Sequence, residues 1–385
     1  MKKFSLIIIG IAFSCGLCTK VYSATNQIYT NLKSDTETTQ CIEKHFLYVT
    51  HPLAGKITQF QIESTTGDLI KQAEYLTVAS PGDLVIQQNK YLYTFGNYDG
   101  TIMVYSIATD GSLTQIQTLK NILANYAFNI TFDHDGNYMY LGNSNRNDIA
   151  MFKVNKDNGL LYPLNPFTIP SQGPYPAGIS MNPNSSKFVY ITNYWNNTVS
   201  VYIVDSVTHG LIPLNKSYPT GTFPRFAWFD TNNHAYVLNL QSNDISMFHA
   251  NTQTGELTPL SIPTVKAGAE PITFALSPSE KYVYVGNRVS SDILVYAKDS
   301  DGILAQIDNI STIESSATHG SKTRNIVIDT INHTSYLYAS NSSGSSIVKF
   351  ILNSDGLIEP SSIIGQDTGV SNPEVMAIAH IKNCN

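Results

Sequence analysis

The chain has 385 residues, of which 14% are charged, and a formal net charge of −6. That charged share lies well below the usual quarter or so, and Asn, Ser, Thr and Gln carry the polar load instead. Basic clusters are missing, which argues against nucleic acid or an acidic membrane surface as a partner.

Residues 1–23 read as a secretory signal: Lys2 and Lys3 form a basic start, Phe4 to Leu17 is mostly apolar, and Val21-Tyr22-Ser23 precede Ala24. The apolar run is too short for a retained membrane span. Export to the periplasm or the extracellular space is therefore expected, with no stable membrane insertion after cleavage. Cleavage removes Lys2, Lys3 and Lys20 and no acid, taking the net charge from −6 to −9. Residues 24–45 read as a polar lead-in, and one domain is expected over 46–385. Only Cys41 and Cys384 survive cleavage, and a lone cysteine pair at the two ends of an exported chain suggests a disulfide.

From Phe46 onward one phrase recurs seven times. Its second aromatic is Tyr48, Tyr93, Tyr140, Tyr190, Tyr236, Tyr284 and Tyr338, in steps of 45, 47, 50, 46, 48 and 54 residues. That period, with two-residue alternation, predicts an all-β, seven-bladed β-propeller with four antiparallel strands per blade. The fourth repeat is the cleanest. Ala177–Met181 reads as the inner strand, Phe188–Asn193 as the second, Thr198–Tyr202 as the third, and His209–Leu214 opens the outer strand. The first aromatic strand has no inner strand before it, and the missing one appears as Asn372–His380. The C-terminal strand should therefore complete the first blade and close the ring, with Cys384 leaving it near Cys41. Closing so long a loop is worth several kcal/mol in the chain-entropy account. A closed ring needs no partner strand, so a monomer is expected.

Asn97, Asn143, Asn193, Asn239, Asn287 and Asn341 follow six of the aromatic strands and read as turn residues. The first repeat has His51 there. Nucleophile elbows, paired-histidine zinc motifs and phosphate loops are missing, so no cofactor and no metal are expected. The outer-hairpin phrases Gly159–Leu164, Gly210–Leu214, Thr254–Leu260 and Asp301–Leu304, with Tyr284–Arg288 and Thr323–Ile326, resemble the seven-bladed propeller lactonases. That family includes 6-phosphogluconolactonases and carboxymuconate-lactonising enzymes, and Tyr190–Asn193 also resembles the YVTN-repeat propellers.

The resemblance implies a site at the central funnel built from arginines, a histidine and a glutamate. Pro224-Arg225, Asn287-Arg288 and Thr323-Arg324-Asn325 match its arginine phrases. Arg225, Arg288 and Arg324 would then form a clamp for a carboxylate or phosphate, which suits the guanidinium fork. The family's acid–base positions do not match: they read Phe128, Phe226 and Leu240, or Gln241 if the turn is one residue shorter. None of these can hold and release a proton near neutral pH.

Two functions follow. The first expectation is an exported binding propeller that recognises an anionic small molecule, glycan or peptide through the three arginines. The alternative is a lactone hydrolase or cycloisomerase acting on an unphosphorylated carboxylate or sugar lactone. It would take its base from His51, His319, Glu270 or Glu374. Phosphorylated sugar lactones are cytoplasmic metabolites that an exported protein would rarely meet. A titratable group within hydrogen-bond reach of the arginines would favour the enzyme, and an apolar wall would favour binding.

Overall fold

Phe46, Leu47, Tyr48 and Val49 are consecutive and all but inaccessible, so both faces of their strand are covered. The same holds for the aromatic strand of every repeat, as expected for sheets stacked face to face. The computed structural model describes residues 41–122, 127–313, 322–359, 364–369 and 371–384. The expected signal segment and residues 24–40 of the lead-in lie outside these. Two units are distinguished: Glu43–Asn383, which holds the propeller, and Met1–Ile42 with Cys384–Asn385.

The described strands form seven four-stranded antiparallel sheets. Blades are numbered here by their aromatic strands, from Cys41–His51 in blade one to Thr334–Asn341 in blade seven. Blade four runs Pro176–Asn182, Ser185–Asn193, Thr198–Val204 and Leu211–Pro219, close to the sequence expectation. In blade one the innermost strand is Met376–Cys384, beside Cys41–His51. The ring is thus closed by the end of the chain, as the phase of the repeats predicted. The pairing extends past the strand proper, since Thr50 N donates to Val375 O and Glu374 N to Thr50 O, both at 2.9 Å. Cys41 and Cys384 are bonded to each other, and the aromatic strand starts at Cys41, within the expected lead-in.

The recurring tyrosine does more than fill space. In blades one, two, three, five and seven its hydroxyl reaches into the next blade and donates to a carbonyl at the outer hairpin. The pairs are Tyr48–Gly111 (2.6 Å), Tyr93–Gly159 (2.9 Å), Tyr140–His209 (2.9 Å), Tyr236–Gly302 (2.9 Å) and Tyr338–Gly67 (2.7 Å). Each acceptor residue has positive φ, 81° at Gly302, where an added Cβ would lie 2.4 Å from the His234 ring. Tyr236→Phe leaves the Gly302 carbonyl dry and unbonded. It should cost about 1–2 kcal/mol and lower the thermal midpoint by roughly 2 °C, measured by calorimetry.

Blade seven meets blade one through a cluster of the buried Asp329 and His45 with the exposed His380. Asp329 Oδ2 lies 2.8 Å from His45 Nδ1, and its Oδ1 lies 2.9 Å from His380 Nε2. Burial alone would raise the Asp329 pKa. Hydrogen bonds from His380 and His45 outweigh it and pull the carboxyl down to about 2. The His380 pKa is raised, first by its bond to Asp329, with Glu43 adding to the effect and burial and Lys382 opposing it. A raised folded pKa stabilises fully below the unfolded value of about 6.5, and that contribution is lost as pH rises through the folded pKa. The wild-type midpoint should therefore fall more between pH 6 and 9 than that of His380→Gln. Parallel curves would reject this assignment.

Candidate functional site

The site begins with a backbone device repeated around the ring. The residue just before an inner strand has positive φ at Ser80 (51°), Tyr175 (58°), Phe223 (58°), Glu270 (56°) and Lys322 (70°), and in blade one Asn372 (60°), four positions before Met376, is the counterpart. Proline follows all of these except Lys322. Left-handed geometry is costly for bulky side chains and collects where function needs it. A side chain of the preceding blade holds the conformation. Asn147, Asn197 and Asn243 accept from the N–H of Tyr175 (2.7 Å), Phe223 (3.0 Å) and Glu270 (2.9 Å), and Ser291 Oγ from that of Lys322 (2.9 Å). The carbonyl of each left-handed residue then accepts from the loop after its aromatic strand. Tyr194 donates to Tyr175 (3.1 Å), Leu240 to Phe223 (2.9 Å), Arg288 to Glu270 (2.8 Å) and Ser342 to Lys322 (3.0 Å).

These paired residues surround one end of the inner strands. The residue two positions past the left-handed one is Arg225 in blade five, Ile272 in six, Arg324 in seven and Glu374 in one. Arg225, Arg288 and Arg324 line one cavity of about 290 Å³ together with Tyr175, Tyr194 and Trp195. Arg288 and Arg324 also border a second cavity of about 380 Å³ that contains Glu270, Lys322 and Glu374. Arg225 and Arg324 reach a third space of about 430 Å³ between the inner strands, which includes Asp83 and Phe226. The three arginines predicted from sequence are thus brought together.

The electrostatics of the cluster are strained. Arg225 is only 9% exposed. Burial, then the charges of Arg324 and Arg288, push its pKa down to about 9, with Tyr194 and Tyr175 acting the other way. Two glutamates partly offset the positive charge. Arg288 Nε donates to Glu270 Oε2 at 2.7 Å, and an Nη of Arg288 contacts the same oxygen. Arg324 Nε donates to Glu374 Oε2 at 3.1 Å. Deeper in, Asp83 accepts from the N–H groups of Leu84 (2.8 Å) and Ile130 (3.0 Å). Its pKa rises to about 6 because burial outweighs those bonds and the pull of Arg225.

The other predicted residues fall elsewhere or play plainer parts. His51 is buried in blade one, 3.2 Å from the Ser371 carbonyl, and burial lowers its pKa to about 4. It does not line the arginine cavities. His319 lies outside the described residues. Phe226 lines the inner channel and Leu240 the arginine cavity, so part of the wall is apolar as expected. Phe128 lies in the inner strand Ala127–Phe132 of blade three. Asn97 lies in a turn as expected, whereas Asn143, Asn193, Asn239, Asn287 and Asn341 are the last residues of their strands. These five are buried clamps: Asn239 donates to Asp244 at 2.7 Å and Asn287 to Asp292 at 2.8 Å, and after Asn143, Asn193, Asn239 and Asn287 a left-handed residue comes four positions later.

Among the described residues, one group has donors spaced for a metal ion, His45, Asp329 and His380, with ligand atoms within 4.8 Å of one another. Those donors are already spent on each other. Close packing also matters for the arginines. A Cβ on Gly178 would sit 2.3 Å from the Arg225 carbonyl, so glycine lets the inner strands of blades four and five approach. Sequence reasoning missed Asp83 and the aromatic group at Tyr175, Tyr194, Trp195 and Phe223. The X-Pro pairs at Tyr175-Pro176 and Phe223-Pro224 were the available signal.

A family model described as lactonase, 7-bladed beta-propeller, matches residues 43–186, 163–270 and 261–378. The 6-phosphogluconolactonase of Bacillus subtilis is 26% identical over 215 residues, which is 53% of this chain and 60% of that protein. The Serratia proteamaculans 6-phosphogluconolactonase is 26% identical over 153 residues, 38% of this chain and 45% of that protein. The chain thus spans about half the length of these curated relatives. A solved Lactobacillus plantarum protein superposes with a TM-score of 0.74 at 18% identity, covering 88% of this chain and 99% of its own. The periplasmic gluconolactonase of Pseudomonas aeruginosa gives 0.72 at 15% identity, covering 88% and 100%. At these identities the likeness speaks for the fold alone.

Proposed function

The chain belongs to the lactonase family of seven-bladed β-propellers, and from that premise we propose that it hydrolyses an unphosphorylated sugar or carboxylate lactone after export. The observation that carries this reading is a cluster of three arginines, from blades five, six and seven, with carboxylates bonded to two of them. Crowded guanidinium groups in a partly dry cavity favour negative charge, including the charge that develops on a lactone carbonyl under attack. Glu374, at the border of blades seven and one, takes a proton from the attacking water. Oxygen bonds to the carbonyl carbon, and the Arg225 side of the cluster stabilises the oxyanion. Collapse breaks the bond to the ring oxygen, which leaves with a proton returned by Glu374, giving the hydroxy acid.

The sequence alone puts recognition ahead of hydrolysis. Glu270 and Glu374 within hydrogen-bond reach of the arginines support the reverse order. The recognition reading keeps one observation in its favour, the apolar Leu240 in the arginine cavity. The test is Glu374→Gln, which keeps a hydrogen-bond acceptor for Arg324 but cannot take up a proton. It should lower kcat by about 10²–10⁴ in a proton-release assay, with little change in the affinity for the hydroxy-acid product. An unchanged kcat would remove Glu374 as the base.

A further inference from the structure

Four aromatic rings stand beside the arginines and take no part in the proposed chemistry. Tyr194 stacks on Phe223 with centroids 4.4 Å apart and planes 16° off parallel. Trp195 meets Tyr194 edge-on at 5.2 Å (89°) and Phe223 at 5.2 Å (82°), and Tyr175 lies 5.8 Å from Trp195. Packed in this way, Trp195 is still 55% exposed. Tyr175, Tyr194 and Trp195 line the same cavity as Arg225, Arg288 and Arg324.

Burial alone does not explain this group. Tyr175 and Phe223 occupy the left-handed positions that open two inner strands, where the equivalent residue of blade one is Asn372. Asparagine tolerates that geometry, whereas an aromatic residue is strained there. The strain is held by Asn147 and Asn197. A supported, strained and partly open aromatic wall beside an anion-favouring cluster is what a ligand with a ring at one end and a reacting carbonyl at the other requires.

We infer that the Trp195 wall is a subsite for a second sugar, and that the substrate is a glycosylated aldonolactone whose non-reacting pyranose stacks there. This rests on the hydrolase reading of the arginine cluster and adds the substrate class to it. A pyranose offers an apolar face of C–H groups to an aromatic ring and keeps its hydroxyl rim for water and polar neighbours. A charged second group would gain little from such a wall, and the acids Glu270 and Glu374 line the adjoining cavity that shares Arg288 and Arg324 with this one. Binding energy from the second ring would be available to orient the lactone for attack.

The experiment compares cellobionolactone, a glucosyl-gluconolactone, with glucono-1,5-lactone by proton release, in wild type, Trp195→Ala and Trp195→Phe. Binding of the product cellobionate is measured by titration calorimetry on the same three proteins. Wild type should prefer the disaccharide lactone about tenfold in kcat/KM. Trp195→Ala should reduce that preference about tenfold, mainly through KM, and Trp195→Phe should restore part of it. No preference in wild type, or equal losses on both substrates, would overturn the subsite. If neither lactone is hydrolysed, the hydrolase reading fails alone provided cellobionate binds and depends on Trp195. If cellobionate does not bind, the subsite fails too.

Discussion

Arg225→Ala should lose about 10²–10³ in kcat/KM for lactone hydrolysis while keeping its thermal midpoint within a few degrees. Its charge is hard to maintain, with a pKa pushed down to about 9 by burial and by Arg324 and Arg288. Such a residue is a poor source of stability, since burial and the neighbouring like charges both act against its charged form. Its value is realised when negative charge enters the cavity. Arg225→Lys keeps a charge but loses the planar fork, so it should recover only part of the rate. The measurement is initial-rate kinetics with a thermal melt of each variant. A variant that melts much earlier and is inactive for that reason would assign Arg225 to the scaffold.

Removal of the Cys41–Cys384 bond should be the largest stability effect of a single change. The bond closes a loop with a sequence separation of 343 residues. The chain-entropy account gives about 6 kcal/mol for so long a loop. At the usual unfolding entropy per residue, that lowers the midpoint of a protein this size by roughly 7–8 °C. Cys384→Ala and reduced wild type should melt together, below oxidised wild type, in calorimetry. The innermost strand of blade one, Met376–Cys384, arrives from the far end of the chain and is the piece whose return to the ring the bond secures. Equal midpoints for oxidised and reduced protein would show that the strand pairing alone holds the ring.

The propeller was legible because its determinants are local and repeated. Each blade carries an alternating strand around a buried tyrosine, turn residues at regular offsets, and a phase that left one inner strand over for the C-terminus. The tyrosine-to-carbonyl bonds between blades were not legible, since they pair residues such as Tyr236 and Gly302 that lie 66 positions apart. At the site, Arg225, Arg288 and Arg324 could be picked out from short phrases. Their glutamate partners could be named only as candidates, because the Arg324–Glu374 pair joins residues 50 positions apart in different blades. Asp83 was invisible: its raised pKa depends on how deep in the channel its strand places it. Five of the six asparagines after the aromatic strands misled, Asn97 being the one in a turn, because a residue type favoured in turns also suits a buried clamp.

The most direct measurement is the initial rate of proton release by the purified protein on a panel of unphosphorylated lactones, glucono-1,5-lactone among them, beside Arg225→Ala. Turnover well above the buffer rate that collapses in the variant is the predicted result. Rates that match buffer on every lactone, with wild type and variant alike, would contradict the hydrolase account and return the arginine cluster to recognition alone.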